Sequence, residues 1–95
     1  MDENYLAADK LEVFRREIAT VTRTVRQLDE LAAWLHSQPF IASVKLEDYL
    51  IKTYPPRREF TIGIRMEGGI VCKNILTITT VGAEQFTFQE MREAR

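Results

Sequence analysis

The 95 residues contain one cysteine and one histidine, and these two scarcities exclude most familiar site chemistry. A lone Cys72 permits no internal disulfide and fits a reducing compartment. A lone His36 excludes a histidine-based triad and a two-histidine metal site within one chain. Glycine and proline number only 4 and 3, and neither occurs before Pro39, so no strong helix breaker stands in the first third. Charge of one sign is lacking too: 13 basic against 14 acidic residues give a formal net charge of −1. A dedicated nucleic-acid binder usually carries a clear basic excess. Apolar runs are a few residues long, against the ~20 needed to cross a bilayer. The start, Met1-Asp2-Glu3-Asn4, has no apolar leader segment. These absences lead us to expect a cytoplasmic protein with no membrane association.

What the chain does have is a hydrophobic stripe. Leu11, Phe14, Ile18, Val21, Val25, Leu28, Ala32 and Leu35 are spaced alternately three and four residues apart. On a helix this keeps the apolar side chains on one seam, the a/d pattern of a coiled coil. The spacing predicts one long helix over 4–37, stopped by Pro39 because the residue before a proline is pushed out of the helical region. Thr20-Val21-Thr22-Arg23-Thr24-Val25 is rich in β-branched residues and is the weak point, where a kink or two meeting helices would fall. Placing Leu11 at a sets β-branched residues at other a positions, as parallel dimers prefer. Lys10 and Arg15 would then face each other at g and e, so an antiparallel pairing fits as well.

Beyond Pro39 the period changes from about 3.5 to 2. Phe60, Ile62, Ile64 and Met66 alternate on one face of a strand, and Gly68-Gly69 follows as a hairpin turn. A two-residue loop would pair Met66 with Val71, Ile62 with Ile75 and Phe60 with Thr77, leaving Cys72 opposite Arg65 and Lys73 opposite Ile64. Both faces near Ile75-Leu76 and Ile78 are partly apolar, which predicts a bulge or a second covered face. An earlier strand is expected roughly over Ala42–Tyr54. In the last segment, 82–95, Phe86-Thr87-Phe88 alternates like a strand, while Gln89-Glu90-Met91-Arg92-Glu93-Ala94 suits a short helix. The expected fold is α+β: a single domain with a long N-terminal helix on a three- or four-stranded antiparallel meander over 42–81, and a short terminal strand or helix. A 95-residue chain buries about 60–65% of its unfolded surface, so a second source of stability such as dimerisation would help.

The residues suggest three functional classes. The first is a non-catalytic interaction module, a homodimeric adaptor, regulator or inhibitor-type protein whose seam is Leu11, Phe14, Ile18, Val21, Val25 and Leu28. The second is a nucleic-acid-binding regulator. On a continuous helix Arg16, Arg23 and Arg26 share an outer face suited to phosphate or an acidic partner, although no aromatics interleave with them to stack on bases. The third is a small-ligand domain with a pocket between helix and sheet, lined by Trp34, Tyr49, Tyr54 and Phe60. Enzymatic activity, a cofactor and a metal are not expected. His36 sits where a cation complements a helix C-terminus, Glu47 and Asp48 point to opposite faces of a strand, and the glycine pair stands between strands, leading into no phosphate-binding helix.

Overall fold

Two helices replace the single long one, and the break falls in the β-branched stretch. A computed structural model describes residues 3–94; Met1 and Asp2 of the acidic start, and Arg95, lie outside them. A 3-10 turn at Ala8–Lys10 leads into α1 (Leu11–Thr22), and α2 spans Leu28–His36. The Thr22 hydroxyl donates to the Ile18 carbonyl at 2.6 Å and the Thr24 hydroxyl to the Val21 carbonyl at 2.7 Å. These side chains take up carbonyl oxygens at the end of the helix. Gln27 is then fully extended (φ −134°, ψ 146°) before α2 begins. Asp29 and Glu30 occupy the first turn of α2, where the helix dipole favours carboxylates, and His36 occupies its last. The Ser37 hydroxyl and the Gln38 amide close that end on the Trp34 carbonyl.

Four antiparallel strands follow in sequential order: β1 (Ile41–Leu46), β2 (Arg57–Arg65), β3 (Val71–Thr80) and β4 (Phe86–Glu93). The first strand ends well before Tyr54, and an isolated bridge between Ile51 and Arg57 ties the intervening loop back to β2. The last segment is a strand throughout Phe86–Glu93, so the terminal-helix alternative is not formed. Pairing with the open side of β3 outweighs its helical propensity, because it sets Met91 opposite Leu76, where Met91 is buried.

The β2–β3 register differs from expectation by one residue. Met66 N–H donates to the Ile70 carbonyl and Gly69 N–H to the Met66 carbonyl, making a three-residue loop of Glu67, Gly68 and Gly69. Ile62 therefore faces Asn74, Phe60 faces Leu76 and Ile64 faces Cys72. A shift of one turns every side chain of a strand over. Leu76 and Ile78 thus enter the core, while Ile75 and Thr77 lie on the other face. A bulge at Thr77/Ile78 does form, with Gln89 as the extra residue on β4. Gly68 and Gly69 both have positive φ, +100° and +87°, with open space around each. Gly69→Val should therefore cost ~1–3 kcal/mol through backbone strain and without a clash, read as a lower urea midpoint with an unchanged slope.

The core lies between the helices and one face of the sheet. Phe14, Ile18, Val25, Leu31 and Leu35 meet Phe60, Ile62, Ile64, Leu76, Ile78 and Met91 in a single cluster. α1 packs on β4 and α2 on β1. Phe14 is held between the Trp34 ring, stacked at 6.0 Å, and the Phe40 ring, edge-on at 4.8 Å. The heptad spacing arises because both helices and the link between them turn the same side to the sheet.

Candidate functional site

The expected seam is largely interior. Phe14, Ile18 and Val25 are 2%, 0% and 7% exposed in the chain's own core, and Leu11, Val21 and Leu28 pack around it, half-buried. Arg16, Arg23 and Arg26 are all exposed, but the helix break separates them. Arg16 belongs to α1, Arg23 follows its last turn, and Arg26 lies at a bend in the link before α2. Their shared helical face required a continuous helix, which ends at Thr22 and resumes only at Leu28.

The four aromatics expected around a helix–sheet pocket are likewise dispersed. Phe60 is fully buried, Trp34 stacks on Phe14 at the helix layer, and Tyr54 is fully exposed in the β1–β2 loop. Tyr49 lies on the uncovered face of the sheet, where its hydroxyl donates to Glu59. That hydrogen bond raises the Tyr49 pKa above the usual phenol range, with a small desolvation and the charges of Glu59 and Glu47 adding to it and Arg92 opposing. Cys72 is half-buried opposite Ile64, and His36 is exposed at the end of α2. Among the described residues no group of three or more His, Cys, Asp or Glu is placed to hold a metal ion. No helix among them is long and apolar enough to cross a membrane.

Three features of the surface bear on function. The first is the uncovered sheet face, across which the register sets Glu47, Glu59, Thr77 and Glu90 in one row and Lys45, Thr61, Ile75 and Arg92 in the next. Lys45 pairs with Glu47 at 3.5 Å and Arg92 with Glu90 at 3.7 Å. Like charges within the first row are thus offset by the row beside it.

The second feature is the free edge of β4. β1 and β4 are the edge strands, but β1 is short and its pairing is interrupted at Ala42, devices that blunt an edge. β4 is regular from Glu90 onward. Ala94 N–H donates to the Lys73 carbonyl at 2.9 Å. Because an antiparallel ladder alternates, Glu90 and Arg92 also aim their main-chain groups at β3, while Met91 and Glu93 aim theirs out of the sheet.

The third feature is a cleft of about 570 Å³ at the opposite side of the sheet, between the N-terminal strap and the α2–β1 turn. The strap bonds alongside the end of β2: Leu6 N–H donates to the Arg65 carbonyl at 2.8 Å and Glu67 N–H to the Leu6 carbonyl at 3.0 Å. Arg65 also fastens the other wall. Its N–H donates to the Phe40 carbonyl at 2.7 Å, and its guanidinium donates to the carbonyls of Pro39 and Ile41 at 3.1 and 3.2 Å. Sequence periodicity gives no sign of this arrangement: the helix expected over 4–37 takes in Leu6, whereas the first α-helix begins at Leu11 and Leu6 bridges to Met66 instead. Comparisons with family models, curated proteins and solved structures found no match to this chain.

Proposed function

We propose that this chain is a non-catalytic interaction module, a homodimeric adaptor or regulator, and that two copies join through the free edge of β4. The observation that carries the reading is that this edge is complementary to itself in one register. In a two-fold antiparallel pairing the central residue faces its own copy, in a hydrogen-bonded or a non-hydrogen-bonded pair, and centring on Glu90 or Arg92 would place like charges directly opposite. Centring on Glu93 would place two like carboxylates directly opposite. Centring on Met91 forms the Met91–Met91 hydrogen-bonded pair and sets Glu90 opposite Arg92 of the partner subunit on the uncovered face. Each arginine would then lie between two carboxylates, since Arg92 already lies 3.7 Å from Glu90 within its own strand.

A strand edge by itself is smaller than the ~800 Å² per partner of a standard interface. α1 supplies the remainder in this reading. It packs on β4, so the same two-fold axis sets it beside its copy. The flank of α1 that carries Glu12, Arg15 and Ala19 is turned away from the groove that Val13, Glu17 and Trp34 line against α2. Assembly this way continues the sheet into eight strands and leaves its open face as a broad surface for another protein.

Light scattering from micromolar to millimolar protein tests the proposal. A mass of twice 11.1 kDa is expected. Arg92→Glu places like charges opposite one another at two symmetric positions and should weaken the dimer at least tenfold, at about 1 kcal/mol per site. Adding Glu90→Arg to it restores opposite charges and should restore the dimer. A wild-type protein that stays monomeric throughout would remove the homodimer. A dimer indifferent to both variants would place the interface away from β4.

A further inference from the structure

We propose that the cleft beside the N-terminal strap is a binding site for a small hydrophobic organic cation, an aromatic or alkyl ammonium. Its volume, about 570 Å³, lies within the ~300–1,000 Å³ of small-ligand sites. Tyr5, Leu6, Ala7, Pro39 and Phe40 supply a predominantly apolar lining. The rim is of one dominant sign: the carboxylates of Glu3, Asp9 and Glu67 stand against the single ammonium of Lys10. None of these four makes an ion pair among the described residues. The Arg65 guanidinium nearby is turned to the carbonyls of Pro39 and Ile41.

The walls are fixed before any ligand arrives, which lowers the ordering cost of binding. Both are fastened to Arg65 through the main-chain bonds to Leu6 and Phe40, and Phe40 is braced from behind by the edge-on ring of Phe14. An apolar molecule would gain from the lining whatever its charge. The three rim carboxylates decide the sign of the charge it carries, because they favour an ammonium group and oppose a carboxylate. This site is on the β1–β2 side of the sheet and does not depend on dimerisation through β4.

A matched pair of probes tests the proposal: 2-(2-naphthyl)ethylammonium and 3-(2-naphthyl)propionate, titrated by calorimetry and by amide chemical shifts. At the efficiency typical of small ligands the cation should bind with a Kd of about 1 mM or tighter. The anion should bind about tenfold more weakly. Shifts should centre on Tyr5–Ala7, Phe40 and Glu67. Glu67→Gln removes an exposed charge and should weaken the cation several-fold with little change in melting temperature. Ala7→Trp fills the cleft and should abolish binding of both probes. Absence of cation binding to the wild type would overturn the proposal, as would equal binding of both probes or binding that survives Ala7→Trp.

Discussion

Ile18→Asp is expected to leave the protein unfolded at 25 °C. Ile18 is fully buried in α1 and belongs to the cluster with Phe60, Leu76, Ile78 and Met91. An aspartate there loses the transfer free energy of the isoleucine and must either bury a charge or take up a proton without a partner. The combined cost is about 5 kcal/mol or more. A 95-residue domain has a total stability of roughly 5–14 kcal/mol, so the variant should lose near-UV circular dichroism and melt without a cooperative transition. Ile18→Val, which removes one methylene, should cost only about 0.5–1.5 kcal/mol and keep the fold. Were the stripe buried between two chains, the charged variant would instead be a folded monomer with native near-UV signals. The two outcomes separate the chain's own core from a seam between chains in one spectrum and one mass measurement.

The sequence was most legible where the local signal and the tertiary outcome coincide. Pro39 marks the end of the helical half, β2 alternates as its apolar spacing requires, and the glycine pair stands at the hairpin. The heptad pattern misled on continuity because a/d spacing records only which side is apolar. A sheet satisfies that side as well as another helix does, and Val25 remains buried although it lies in the link between α1 and α2. The strand character of β4 beyond Phe88 was hidden by its bulge. Phe86, Phe88 and Met91 all face the helices, but the extra residue Gln89 makes the last interval odd and breaks the alternation. The cleft was invisible for a different reason. Its walls are contacts between Leu6, Phe40 and Arg65, residues far apart in sequence that leave no mark on local periodicity.

The register of the central hairpin gives the second large expected effect, and a pair of adjacent substitutions reads it. A two-residue loop would place Ile75 opposite Ile62 inside the protein; the three-residue loop places Leu76 opposite Phe60 instead. Leu76 is fully buried, so Leu76→Asp should cost about 5 kcal/mol or more, for the same reasons as Ile18→Asp. Ile75 is half-buried on the uncovered face, beside Thr61 on β2 and Arg92 on β4. An aspartate there remains hydrated and gains a cationic neighbour across the strand, so Ile75→Asp should cost about 1 kcal/mol or less. Chemical denaturation of both variants decides the matter. A folded Leu76→Asp together with an unfolded Ile75→Asp would restore the shorter loop. It would also reverse the face on which Thr77 and Asn74 lie. The β4 edge would change with it, because the pairing of Met91 with Leu76 is what places Glu90 and Arg92 on the open face.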